Sequence, residues 1–223
     1  MKPWELLDRT RTPGGTEVTL KRRDTEYVIF ADGRHLMSSR MHGSEESMSA
    51  LGCQHVRTRR RPTVLVGGLG MGFTLRATLD LLPADATVHV AELLPAVVEW
   101  NKGLLGPLAG RPLNDARVEV VVGDVSVLLR ESRNRFDTVL LDVDNGPVAL
   151  TASANATLYN DGGVAAMYGA LAAGGVLAVW SAGDDREFER RLRRGGFRVD
   201  VAHVRGRLKK GPRHTIFVAR KRG

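Results

Sequence analysis

Three glycines spaced one residue apart, Gly68, Gly70 and Gly72, follow directly on the apolar run Val64-Leu65-Val66-Gly67 and lead into a helical pattern. A bend of this kind admits positive φ angles and presents backbone amides, so a ligand can lie against the main chain. A dinucleotide fingerprint places its third glycine one residue later, at the position held by Phe73. The G-x-G-x-G spacing suits instead a nucleoside sulfonium of the S-adenosylmethionine type, which carries no pyrophosphate. Gly68, Gly70, Met71 and Gly72 are therefore the candidate donor-binding loop. Further on, Glu92 closes the apolar run Val88-His89-Val90-Ala91. A carboxylate at that point can accept from both ribose hydroxyls.

Two more strand-like runs end in acids. Val118-Glu119-Val120-Val121-Val122 leads into Gly123-Asp124, and the next residues, from Val125 to Leu129, have the look of a short helix. Asp124, with Val125 beside it, can read an adenine amino group or simply cap that helix, and one carboxylate can do both. Phe136-Asp137-Thr138-Val139-Leu140-Leu141 ends in Asp142-Val143-Asp144-Asn145-Gly146-Pro147. Two carboxylates at a strand end face one another or a cation, unless they serve only to cap the loop. The chemistry they suit is deprotonation of an amine. An alkylamine with a solution pKa of about 10 must lose a proton before it attacks the carbon next to a sulfonium, and Asp142, together with Asp144, can orient and accept it.

The elements that must position these residues are legible in outline. Residues 17 to 37 alternate as strands do, with Asp32-Gly33 as a turn signal. Ser44 to Val56 has a helical pattern with Ser44 as the expected N-cap, and Arg57 to Pro62 is a charged connector. This predicts a small N-terminal β-rich segment plus helix over 1–56, and a nucleoside-binding and catalytic domain over 57–223. Strands are expected at 63–67, 87–92, 117–122, 136–142, 175–181, 197–204 and 213–220, with helical patterns between most of them. That alternation specifies a parallel α/β sheet. The link between the last two strands is too short for a helical crossover, so the final strand must pair antiparallel. The predicted fold is thus α/β, a seven-stranded Rossmann-like sheet resembling the class I methyltransferase fold, with an antiparallel last strand.

Composition narrows the class. The hydrophobic share of 43% and charged share of 26% are those of an ordinary globular protein. One cysteine, Cys53, allows no internal disulfide and fits a reducing compartment. Met1-Lys2-Pro3-Trp4-Glu5 lacks the apolar core of a signal peptide, so a cytoplasmic protein is expected. Residues 162–183 carry no charge, but Gly174-Gly175 interrupts them, and they read as a buried helix followed by a buried strand rather than a membrane span. No metal site is expected, and self-association is left open. The net charge of +8 is concentrated in residues 186–223, where fourteen Lys or Arg stand against three acids. A solvated helix and hairpin account for this segment. RNA binding through 186–223 is the less favoured reading, because no aromatics interleave with the charges to stack bases.

Taken together, Gly68-Leu69-Gly70-Met71-Gly72-Phe73-Thr74-Leu75-Arg76, the Glu92 strand end, Gly123-Asp124, Asp142 with its following Gly-Pro, Leu158-Tyr159, and Ala170-Leu171 leading to Gly174-Gly175-Val176-Leu177 resemble the spermidine synthase (polyamine aminopropyltransferase) family. The likeness runs through most of the chain. Ala31-Asp32-Gly33 leading to Ser44-Glu45-Glu46 is similar in plan to the family's small β domain and the substrate-binding stretch after it. The resemblance implies a decarboxylated S-adenosylmethionine donor, a nucleoside held by the glycines and Glu92, an adenine read by Asp124, and catalysis by Asp142. It also implies a small amine acceptor, with Glu45 and Tyr159 on the acceptor side. Tyr159 read by itself is equally an ordinary buried tyrosine.

Three positions depart from the family. Its loop aspartate for the aminopropyl amine is matched by Met71, its second loop acid by Asn145, and its Tyr-His-Glu segment is not reproduced around Ser44-Glu45-Glu46. An S-adenosylmethionine-dependent methyltransferase acting on a small molecule or RNA is the alternative that Met71 permits, and a nucleoside-binding module without turnover is the third. The Asn-Pro-Pro-Tyr type of loop is missing, which disfavours N-methylation of bases.

Overall fold

The computed structural model describes residues 2–143, 156–206 and 211–223. In chain order its strands and α-helices are β1 (Glu5–Arg11), β2 (Glu17–Arg23), β3 (Glu26–Ala31), β4 (Arg34–Ser38), α1 (Gly43–Cys53), β5 (Thr63–Gly67), α2 (Phe73–Leu81), β6 (Thr87–Glu92), α3 (Pro95–Lys102), β7 (Val118–Val122), α4 (Val125–Glu131), β8 (Phe136–Leu141), α5 (Ala156–Tyr159), α6 (Asp161–Ala170), β9 (Leu171–Ser181), α7 (Arg186–Arg194), β10 (Arg198–Arg205) and β11 (Arg213–Arg220).

The first four strands form an antiparallel meander, in the order β1-β2-β3-β4. Asp32 and Gly33, both at positive φ (45° and 74°), make the tight turn between β3 and β4 that the sequence signals. Strand β1 was not anticipated. It is an edge strand with mostly exposed residues, so it lacks an apolar alternation; pairing with β2 holds it, helped by the Arg22–Glu5 ion pair at 2.8 Å.

The larger sheet has the order β10-β11-β9-β8-β5-β6-β7. Strands β5 to β9 run parallel, and β11 lies antiparallel to both β9 and β10, as the short final link requires. Strands β5, β6 and β8 are buried almost end to end. A strand covered on both faces reads as an unbroken apolar run rather than an alternation, which is why these three were easily found. Strand β9 begins at Leu171, earlier than expected. Its register against β8 slips between Phe136 and Thr138, and this bulge accommodates Gly174-Gly175 within the strand.

Helix α1 differs from expectation at both ends. Ser44 is not its N-cap: His42 occupies that position with no side-chain cap bond, and Ser44 lies in the first turn with its hydroxyl donating to Glu45 Oε2 at 2.5 Å. The helix ends at Cys53 and tightens into a 3-10 turn over Gln54–Val56. It packs on the larger sheet, where a Cβ at Gly52 would stand 2.4 Å from Leu140 Cδ2 and 3.2 Å from Ala178 Cβ. Packing therefore groups α1 with the strands that follow it rather than with the small meander that precedes it. Helix α7, the basic one, is capped by Asp185, buries Phe188 and Leu192, and pairs Arg190 and Arg194 with Glu187 and Arg193 with Glu189. Among the described residues no helix is long and apolar enough to cross a membrane.

Candidate active site

A cavity of about 620 Å³ lies between the small sheet and the carboxyl ends of β5, β6, β8 and β9, where an open α/β sheet holds its ligands. The glycine loop after β5 forms one wall. The Gly68 N–H donates to the Ala91 carbonyl at 2.8 Å and the Asp142 N–H to the Gly67 carbonyl at 2.8 Å, so three strand ends are tied together. Gly68 has φ +89°, and a Cβ there would meet the Asp142 carbonyl oxygen at 2.2 Å. At Gly70 the Cβ position lies 3.0 Å from Met37 Sδ, and at Gly72 it lies 2.9 Å from Asn101 Oδ1. The sequence reading gave this bareness to a ligand; the structure shows that the protein's own chain occupies much of the space. Gly68 and Gly70 still line the cavity. Met71 is instead fully buried in the core and Gly72 opens α2, so neither contributes to the described cavity wall.

Glu92 faces the loop. Its Oε2 accepts from the Leu69 N–H and its Oε1 from the Leu94 N–H, both at 2.9 Å. Glu92 is thus a buried carboxylate immobilised at the cavity wall. Asp124 caps α4, its Oδ1 accepting from the Ser126 N–H at 2.7 Å, and stands exposed at the cavity with Val125 buried beside it.

Across from them, Asp142 follows β8 and Glu45 projects from the first turn of α1. Asp142 Oδ2 accepts from the Thr74 hydroxyl at 2.5 Å, and Glu45 Oε2 from the Ser44 hydroxyl. Burial pushes both carboxyls up, Glu45 to about 7 with the negative charge of Asp142 adding to the effect, and Asp142 to about 6. Two carboxyls this reluctant to ionise are suited to accept a proton from a bound amine.

Tyr159 sits in the core with its ring edge-on to Phe188 at 5.4 Å, and its neighbour Leu158 lines the cavity instead. Asp144 and Asn145 lie outside the described residues. Among the described residues no cluster of His, Cys, Asp or Glu is arranged to hold a metal ion. Sequence reasoning gives no role at the site to Thr74, Trp180 or His214. The rule that found Asp142, inspection of each strand's carboxyl end, reaches Trp180 as well, since it stands at the end of β9.

A seven-stranded sheet with one reversed strand, a glycine loop after its first parallel strand and an acid closing its second define a class I methyltransferase-like protein. The spermidine synthase of Thermotoga maritima superposes with a TM-score of 0.75 at 18% identity, covering 97% of this chain and 72% of that one. A spermidine synthase in complex with the transition state analogue AdoDATO gives 0.73, at the same identity and coverage. Identity this low speaks to the fold alone. Residues 42–189 match the spermine/spermidine synthase domain, and the chain belongs to that family. Among curated relatives, the polyamine aminopropyltransferase of Thermoanaerobacter sp. (strain X514) is 37% identical over 86 residues, 38% of this chain and 30% of that protein. The polyamine aminopropyltransferase of Bacillus subtilis (strain 168) is 30% identical over 118 residues, 52% of this chain and 41% of the relative. The chain therefore aligns with less than half the length of these two relatives.

Proposed function

We propose that the chain is a spermidine-synthase-like transferase that binds an S-adenosylmethionine-type donor and moves an alkyl group, aminopropyl by family, from its sulfonium to an amine in the cytoplasm. The observation that carries this reading is the Glu45–Asp142 carboxyl pair, which lines the same cavity as the glycine loop and Glu92. When bound, the donor supplies an alkyl carbon already activated by the positive charge on sulfur. Glu92, fixed by two backbone amides, would hold the ribose hydroxyls, Gly68 and Gly70 would pass close beneath the nucleoside, and Asp124 and Val125 would flank the base. Asp142, oriented by Thr74, would draw the acceptor ammonium into the cavity, and Asp142 or Glu45 would take its proton. The N–C bond forms as the C–S bond breaks, the electron pair leaves on the neutral thioether, and the amine proton ends on the carboxylate. Holding the two reactants at near-contact distance supplies much of the acceleration.

The burial of Met71 favours a second reading, methyl transfer from S-adenosylmethionine itself, because that position offers no carboxylate to the amine of a decarboxylated donor. Thermal-shift titration with S-adenosylmethionine, its decarboxylated form and methylthioadenosine separates the two. The proposal expects the largest shift from the decarboxylated compound. Preference for the carboxylated donor would transfer the assignment to a methyltransferase, and no shift with any of the three would leave the donor site without support.

A further inference from the structure

Asp142, Trp180 and His214 stand at the ends of three neighbouring strands. Leu141 pairs with Val179 in the parallel β8–β9 register, which sets Asp142 level with Trp180. Trp180 pairs with Ile216 across β9–β11, and His214, two residues along β11, points to the same face. That face is the one α1 covers, and the first turn of α1 delivers Glu45 to it. The rings of Trp180 and His214 pack with centroids 4.7 Å apart and planes at 35°, and both line the cavity. Trp180 Nε1 and His214 Nδ1 are buried and, among the described residues, have no hydrogen-bond partner, so the cavity meets these rings through their remaining edges and faces. Burial lowers the His214 pKa below its ordinary value, which disfavours the charged ring. Met41 and Pro212 continue the wall.

Among the described lining residues the carboxylates are Glu45 and Asp142 here and Glu92 and Asp124 at the loop. A linear diamine brings two ammonium groups. Glu45 and Asp142 can serve one of them, while a ring face returns the other less than it loses in leaving water. A flat apolar body, in contrast, gains from burial and from offset or edge-on ring packing.

We infer that Trp180 and His214 form the acceptor subsite of the proposed transfer and that it takes an arylalkyl monoamine, its nitrogen at Glu45 and Asp142 and its ring against the two aromatic side chains. The inference rests on the transferase reading and deepens it.

The test uses the full chain saturated with methylthioadenosine, whose own binding is measured first by calorimetry. Phenethylamine and putrescine are then titrated, and initial rates are taken with each in the presence of decarboxylated S-adenosylmethionine. Phenethylamine is expected to bind at least tenfold tighter than putrescine. Trp180→Ala should lose at least tenfold of that affinity, Trp180→Phe should retain most of it, and methylthioadenosine affinity should be unchanged in both. Putrescine binding as tightly as phenethylamine, or Trp180→Ala weakening both amines equally, overturns the inference and leaves the transferase reading standing. Failure of methylthioadenosine to bind the wild-type chain removes the transferase reading, and this inference with it.

Discussion

Glu45 and Asp142 come from segments far apart in sequence and meet in one cavity, where burial holds both back from ionising and the Asp142 charge adds to the effect on Glu45. Asp142→Asn keeps the side chain's volume and its acceptor for Thr74 while removing the basic oxygen. Turnover should fall by about 10²–10⁴-fold, with the methylthioadenosine thermal shift retained. Wild-type turnover in this variant would take Asp142 out of the chemistry. The pair also makes a stability prediction. A carboxyl whose pKa is raised on folding binds its proton more tightly in the folded state, so stability is highest below the unfolded value, near 4.5 for Glu45, and declines as pH rises through about 7. Glu45→Gln should flatten that decline and stabilise the protein at pH 8 by on the order of 1–3 kcal/mol. Denaturant titrations at pH 5 and pH 8 read this directly, and parallel pH dependence in the variant and wild type would contradict it. Asp142 was legible in the sequence because it ends an apolar strand. The pairing was not, because nothing local in Ser44-Glu45-Glu46 says which strand end the helix will cover.

At the scale of elements, the sequence was most readable where burial is complete. Strands β5, β6 and β8 announce themselves as apolar runs, whereas edge strand β1 carries no such signal. The glycine loop lies between β5 and α2, where the sequence places it. Its positive φ angles are real, but the space at Gly68 belongs to the Asp142 carbonyl, so the residue locks the loop to the strand that carries the proposed base. Gly68→Ala must then move backbone as well as bear the left-handed strain, and should cost more than about 2 kcal/mol. Gly174 is the control. It has φ +72° with nothing within 4 Å of its Cβ position, so Gly174→Ala should cost only about 1 kcal/mol, the strain alone. Urea midpoints of the two variants check the contrast, and equal losses would show that the Asp142 contact does not constrain the loop.

At the scale of the whole molecule, the cavity exists only because two sheets face each other. The large sheet supplies the glycine loop, Glu92 and Asp142, and the small one closes over them with Leu36 and Met37 of β4, Met37 lying against the Gly70 position. The sequence showed both sheets but not their apposition, since the alternation over residues 17 to 37 marks strands without saying what their faces cover. A ligand gripped between the sheets must stabilise both. With methylthioadenosine at 100 times its Kd, segments whose opening releases the ligand should exchange their amide hydrogens about 100-fold more slowly. That protection is expected in the glycine loop and in β4, and not in β1, which lies at the far edge of the small sheet. Slowing confined to the loop would mean that the nucleoside is held by the large sheet alone, and that the small sheet is placed to meet the acceptor rather than the donor.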